Sequence, residues 1–276
     1  MTNKMLPVGL ALSGGTARSV THVGVVRALV EEGIPIAHVA GTSGGAVVGS
    51  FFASGMPLER MLEVANGMSW GKLISIRLSR LGFISSKRIE DFIKDVIGDI
   101  TFEDFKIPCS VVATNLENGR KQVFNSGPVA RVVRASCSIP QIFLPVEIAG
   151  HYYVDGGFAE YLPVGTLHDI DDMFVIAVHL AQERGIYRRP RNYLQLSIHI
   201  MGLVAKTNYV VSMEQADVLI HPYTDQYSPF DFDTSEQLID LGYDTTKALI
   251  PEIKKKWKQK SSRLQRIIKK LAPGQS

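Results

Sequence analysis

Cysteine is scarce: Cys109 and Cys137 are the only two in 276 residues, and both lie in apolar surroundings. Two such thiols do not make a disulfide framework. The usage points to a reducing compartment, so the expected location is cytoplasmic, with the inner face of a membrane as the alternative. Nothing nearby would depress a thiol pKa, and both read as buried structural residues. Long hydrophobic runs are also lacking, and none suffices to span a bilayer. Met5 to Leu12 follows a single lysine and continues into a glycine loop, so it reads as a first buried strand and not as a signal peptide. Charge of one sign is nearly balanced: the net value of +3 is too small to argue for nucleic acid. No His/Asp/Glu cluster stands at ligand spacing, so no metal ion and no other cofactor is implied. With 45% hydrophobic and 21% charged residues, the chain has an ordinary globular composition and length enough for one large domain.

Apolar strand-like and helix-like segments alternate from the start. Val8 to Leu12 reads as a strand, Ser13 to Arg18 as a tight loop, and Ser19 to Glu32 as a helix ended by Gly33. Ile36 to Ala40 is a second strand, Gly44 to Ser54 a helix, and Pro57 opens another at its first turn. This alternation predicts a parallel sheet with right-handed crossovers. Lys87 to Ile97, Pro128 to Ser136 and Tyr193 to Gln215 are predicted helices. Cys109 to Leu116, Gln122 to Phe124, Tyr152 to Val154, Phe174 to Leu180 and Val218 to His221 are predicted strands. Thr234 to Leu271 is expected to be helical with an interruption at Pro251. The expected organisation is a domain over 1–253 and a basic helical tail over 254–276, its last residues frayed from Ala272.

Three loops carry the candidate chemistry. Gly41-Thr42-Ser43-Gly44-Gly45 is Gly-x-Ser-x-Gly between a strand and a helix, the context that pushes a serine hydroxyl out above a sheet end to attack a carbonyl. Gly14-Gly15-Thr16-Ala17-Arg18 also joins a strand to a helix, and its backbone N–H groups suit an oxyanion. Asp155-Gly156-Gly157 ends a short apolar strand. Each loop has a plainer reading: Ser43 as a helix N-cap, Asp155-Gly156 as a hairpin turn, Arg18 as a surface charge. Their joint occurrence favours convergence of nucleophile, oxyanion donors and carboxylate at one end of a sheet. Near the oxyanion loop, Arg18 has two further roles open to it: holding that loop, or attracting a phosphate head group as a substrate-binding residue.

The chain resembles the patatin-like phospholipases, closest to the small bacterial members related to neuropathy target esterase. The resemblance runs from about Gly9 to about Pro251. It rests on Ser-Gly-Gly-x-Ala-Arg at 13–18, His22 and Gly24, Gly-Thr-Ser-Gly-Gly at 41–45 and Arg134-Ala135-Ser136-x-Ser138-Ile139-Pro140. Val154-Asp155-Gly156-Gly157, Leu162-Pro163-Val164 and Ala216-Asp217-Val218-Leu219-Ile220-x-Pro222 complete it. It implies a three-layer α/β/α fold with a central, mostly parallel sheet, the patatin-like hydrolase architecture. It implies Ser43 as nucleophile, Asp155 as its partner in a two-residue dyad, and an oxyanion hole of the Gly14, Gly15 and Thr16 amides. The family usually carries glycine where Thr16 and Ser19 stand, and many relatives have asparagine at or beside Tyr161.

The expected activity is hydrolysis of phospholipid or lysophospholipid esters through an acyl-enzyme. A non-catalytic lipid-binding or regulatory protein on the same fold is one alternative, and a hydrolase of soluble esters another. His22, His151 and His179 are weaker candidates for a catalytic base, since no motif ties them to the serine. Arg134 to Pro140 reads as support for the sheet end. Two segments invite peripheral membrane contact. Met68 to Ile84 mixes apolar and basic residues and reads equally as a lid or acyl-chain groove and as a core helix. Lys254 to Lys270 forms a basic amphipathic stretch, for which a terminal helix docked on the domain is the plainer reading. Nucleic acid is not an expected partner, because aromatics do not interleave with this charge. Oligomeric state has no signal in the sequence.

Overall fold

The structure, a computed structural model, describes residues 5–73, 75–78, 84–180 and 189–271. In chain order the elements are β1 (Val8–Leu12), α1 (Thr21–Glu31), β2 (Ile36–Thr42), α2 (Gly44–Ala53), α3 (Leu58–Asn66), α4 (Trp70–Leu73), β3 (Ser75–Leu78), β4 (Ile84–Ser85), α5 (Lys87–Ile97) and β5 (Cys109–Asn115). There follow β6 (Lys121–Phe124), α6 (Val129–Ser136), β7 (Val146–Ile148), β8 (His151–Asp155), α7 (Val164–His168), β9 (Phe174–Val178), α8 (Tyr193–Gln215), β10 (Val218–Ile220) and α9 (Ser235–Leu271). The main sheet runs β10-β9-β1-β2-β5-β8-β7, with β6 also paired to β5. Neighbours from β10 to β5 are parallel, and β6, β7 and β8 join antiparallel.

The three layers follow from strands buried on both faces. Successive side chains of a strand point to opposite faces. Leu10, Leu12, Val39, Ile176 and Val178 pack into one core with α1, α2 and α9. The intervening Ala11, Ala40, Val175 and Ala177 face α7 and α8. Strands covered on both sides have no polar alternation to display, so β1 and β9 read as continuous apolar runs.

The helix α9 continues through Pro251, where the sequence predicted an interruption. A proline removes one hydrogen bond and crowds the preceding turn. Here the inner face of α9 is fixed by packing that outweighs the loss. Gly24 of α1 and Gly242 of α9 let the backbones meet: a Cβ on Gly24 would lie 1.9 Å from the Ile239 carbonyl oxygen, and one on Gly242 2.2 Å from that of Thr21. Ile250 and Ile253 are buried beyond that contact. The basic stretch is docked as far as it is described. Trp257 Nε1 donates to the Leu6 carbonyl at 2.9 Å, and Lys260 Nζ reaches the Met173 carbonyl at 2.7 Å and Asp217 at 2.8 Å. The side chains of 265–271, including Ile267, Ile268 and Leu271, lie outside the described residues, as do 272–276.

In the irregular stretch from Met68 to Ile84, α4 is followed by the antiparallel pair β3–β4. Ile74, Arg80, Leu81 and Phe83 lie outside the described residues. Among the described residues no helix is long and apolar enough to cross a membrane.

Candidate active site

Strand β5 brings two remote turns together. Its residues Val111 to Thr114 pair with β6 along one edge. A strand has only two edges, so β2 and β8 must share the other, end to end. Thr42 of β2 pairs with Val112, and Asp155 of β8 pairs with Ala113, the next residue along. Ser43 leaves β2 at the point where Asp155 completes β8.

Ser43 has φ 53° and ψ −125°, a left-handed conformation that L-residues rarely adopt. Such geometry costs about 1–2 kcal/mol and persists only where surrounding structure enforces it. The enforcement is visible. The Ser43 N–H donates to Ser136 Oγ at 2.8 Å, and that hydroxyl donates to the Val112 carbonyl at 2.6 Å. A Cβ on Gly45 would sit 2.3 Å from the Leu12 carbonyl oxygen, so only glycine allows the turn to lie against β1.

Asp155 is fully buried. Its Oδ1 accepts from the Gly157 N–H at 2.8 Å, and its own N–H donates to the Ser138 carbonyl at 2.9 Å. Ser43 lies close enough to favour the charged carboxylate, yet Oδ2 has no hydrogen bond of conventional geometry. Burial dominates, and it raises the Asp155 pKa to about 7 against the weaker opposing pull of the Gly157 amide and the Ser43 hydroxyl. Ser136 and Ser138, inside the segment read as sheet-end support, therefore hold the serine and the aspartate respectively.

The glycine loop follows β1 as a 3-10 turn over Thr16–Val20. Thr16 has φ 53°, where the family usually has glycine, and its hydroxyl donates to the Gly15 carbonyl at 2.6 Å. A β-branched residue in that region is a strained outlier. The loop departs from expectation at Gly14: its N–H is engaged, donating to the Tyr161 carbonyl at 3.2 Å. The Tyr161 hydroxyl returns a bond to the Gly14 carbonyl at 2.6 Å. Clamped on both sides, the Gly14 amide is not open to an oxyanion. Gly15 and Thr16 make no such backbone bond through their N–H groups among the described residues.

An apolar cavity opens beside Ser43. Its wall includes Thr16, Ser19, Val47, Phe51, Cys137 and Phe143, and it extends to Trp70 and Leu73 of α4. Trp70 is anchored there, its Nε1 donating to the Phe230 carbonyl at 2.6 Å. The described helix α4 therefore stands in the cavity wall. Arg18 is not in the wall. It is buried, and its Nε donates to the Tyr227 carbonyl at 3.1 Å, which supports a loop-holding role and not contact with a head group. Burial raises both thiols, Cys109 to about 12 and Cys137 further. Cys137 nonetheless touches the Ser43 hydroxyl, a contact with no local signature in the residue pattern.

His22 and His151 are engaged elsewhere, and His179 stacks among aromatic rings with neither ring nitrogen hydrogen-bonded. His22 Nε2 bonds the Ser13 carbonyl at 2.8 Å, and burial lowers its pKa to about 4. His151 is exposed and pairs with Glu117 at 2.9 Å. His179 packs 4.3 Å from the Tyr209 ring centroid, and its pKa is depressed to about 3, chiefly by burial.

A strained serine elbow, a buried carboxylate at the same end of a parallel sheet and a glycine loop beside them define a patatin-type α/β protein. The chain belongs to the patatin-like phospholipase family, whose profile matches residues 10–168, more than half its length. It is 36% identical over 176 residues to an NTE family protein of Mycobacterium tuberculosis, covering 63% of this chain and 49% of that protein. It is 27% identical over 269 residues to the lysophospholipase NTE1 of Saccharomyces cerevisiae, covering 86% of this chain and 16% of the yeast protein. The chain thus spans about half the length of the mycobacterial relative and a small part of the yeast one. Among solved structures it is similar to VipD from Legionella pneumophila, with a TM-score of 0.58 at 18% identity over 90% of this chain and 67% of that one. That likeness concerns the fold.

Proposed function

We propose that the protein is a serine acyl hydrolase that cleaves phospholipid or lysophospholipid esters through a Ser43–Asp155 dyad. The observation that carries the reading is the register on β5, which sets a strained serine and a buried aspartate at successive positions beside an apolar cavity. The family's name and the lysophospholipase name of the yeast relative agree with the substrate class.

In this reading Ser43 Oγ attacks the ester carbonyl while its proton passes to Asp155. An ordinary aspartate, with a pKa of 3.8, is a poor base. Burial raises Asp155 to about 7, which brings it near the pH at which proton transfer is most effective. The tetrahedral oxyanion rests on the Gly15 and Thr16 amides, joined by that of Gly44 at the start of α2. Collapse breaks the ester C–O bond, the leaving oxygen takes back the proton held by Asp155 and departs as the alcohol, and the acyl group stays on Ser43 with its chain in the cavity. Water, deprotonated by Asp155, then releases the fatty acid.

The test is labelling with a fluorophosphonate probe, followed by a lipid panel read by mass spectrometry with Ser43→Ala as the blank. Wild type should label and turn over, and Ser43→Ala should do neither. Retained turnover in Ser43→Ala would refute the dyad. A non-catalytic lipid-binding module is the second reading, favoured by the engagement of the Gly14 amide with Tyr161. It is supported if wild type binds lipid but never labels.

A further inference from the structure

The helix α8 is apolar on both sides. Its inner face, with Met201, Ala205 and Tyr209, is buried against the sheet and the cavity wall. Tyr193, Leu196, Ile200, Leu203, Val204 and Val211 recur at helical spacing on the opposite side and are all exposed, Leu203 by 58% and Val211 by 54%. A helix with an apolar inner face ordinarily turns polar residues outward, and this outer stripe, interrupted by the exposed Thr207, is larger than isolated surface residues explain.

The position and charge of the stripe favour a lipid surface as its occupant. Met201 shares a hydrophobic cluster with Leu73, Ile89, Ile139 and Phe143, which line the cavity beside Ser43, so the inner side of α8 backs onto that wall. Exposed Arg189 and Arg191 stand at the N-terminal end and Lys206 on the flank, with Glu214 near the far end. Tyr193 adds an exposed aromatic ring beside the arginines. Basic groups around an apolar helix face suit the boundary between anionic head groups and acyl chains, and an aromatic at the rim suits the same depth.

We propose that α8 is the docking helix of this protein for an anionic phospholipid surface, laying its outer apolar face into the head-group boundary so that the adjacent cavity receives acyl chains from the bilayer. The proposal rests on the lipid-hydrolase reading for its purpose. It moves the membrane contact to α8 from the basic tail, which is docked on the domain as far as Leu264.

The test uses the full chain and vesicles of ether-linked phosphatidylcholine and phosphatidylglycerol, which offer no ester to cleave. The triple variant Leu196→Gln, Leu203→Gln, Val211→Gln changes only exposed side chains and should fold normally. Vesicle co-sedimentation should fall by at least about tenfold, given the apolar area removed. Binding of wild type should weaken with added salt. Turnover of monomeric p-nitrophenyl butyrate should stay within about twofold of wild type. Lys255→Gln with Lys258→Gln should leave binding unchanged. The proposal is overturned if the triple variant binds like wild type, if wild type does not bind, or if only the tail variant loses binding. It is also overturned if sedimentation shows a wild-type dimer that the triple variant abolishes, because a second copy then covers the face. Vesicle binding that depends on α8 without any ester turnover would sink the hydrolase reading and leave the docking intact.

Discussion

Replacing Asp155 by asparagine should destroy activity and stabilise the protein, and the stabilisation should depend on pH. The carboxyl is raised from an ordinary 3.8 to about 7 in the folded chain, first by burial. A group whose pKa is higher when folded binds its proton more tightly in the native state. Its contribution is therefore fully present below about 3.8 and is lost as pH rises through about 7. The interval corresponds to about 4 kcal/mol of native-state penalty once the group is ionised. Asparagine keeps an oxygen for the Gly157 N–H and never ionises. At pH 8 Asp155→Asn should be more stable than wild type by about 1–3 kcal/mol, the remainder being offset by an imperfectly placed amide. For a chain of this size that is a Tm increase of several degrees, roughly 2–4 °C per kcal/mol. At pH 5 most of the gap should vanish. His22 and His179, depressed to about 4 and about 3, work in the opposite sense and weaken the fold as pH falls below about 6.5. They are common to both proteins and cancel in the difference. Urea unfolding of the pair at the two pH values measures the effect. A gap that is equal at pH 5 and pH 8, or a destabilised variant at pH 8, would refute the account of Asp155 as a carboxylate held ionised against its environment.

In wild type, kcat/KM for a soluble ester should rise about tenfold per pH unit below about 7 and level off above it, since the base form of Asp155 is required; a flat profile from pH 5 to pH 8 counts against that base. Ser136→Ala leaves the buried Ser43 N–H without its acceptor, so it should cost about 1–3 kcal/mol in urea unfolding and lower kcat with little change in KM. Tyr161→Phe frees the Gly14 carbonyl while keeping the ring. The expected loss is about tenfold in kcat, with fluorophosphonate labelling slowed by a similar factor. Gly24→Ala drives a methyl group into the Ile239 carbonyl and should lower stability by about 3 kcal/mol or more, read as a fall in the urea midpoint.

Much of this molecule was legible in its residue pattern, for identifiable reasons. The strands β1, β2, β5 and β9 are short apolar runs between glycine or polar punctuation, and their burial on both faces leaves that signature. The turn at Ser43 was legible because its glycines are demanded by close backbone approach. Strand β7 and the short helix α7 were missed, since three to five residues carry too little periodicity to distinguish them from loop. Passage of α9 through Pro251 was missed because local propensity argues for a break, and the decisive term is the contact with α1 from far along the chain. Ser136 lay in a recognised segment, but its bond to Ser43 depends on a separation of 93 residues that no local pattern encodes. The engagement of the Gly14 amide depends in the same way on Tyr161.

The candidate site concentrates features that oppose folding. Ser43 and Thr16 both hold left-handed backbone, at about 1–2 kcal/mol each, and Asp155 adds a penalty of similar or larger size at neutral pH. A domain has only about 5–15 kcal/mol of net stability, so these terms persist only because the strands beneath them are buried on both faces. The consequence separates the site from the rest of the core. Thr16→Gly and Ser43→Gly each remove a steric cost and restore about 0.5–1 kcal/mol of backbone entropy to the unfolded chain, leaving a net gain of up to about 1 kcal/mol. Large-to-small changes at Leu12 or Ile176 should instead cost about 2–5 kcal/mol. Urea midpoints should therefore rise for the site variants and fall for the core variants. A drop for both Thr16→Gly and Ser43→Gly would mean that the two turns are relaxed, and would remove strain from the explanation of why this serine stands where it does.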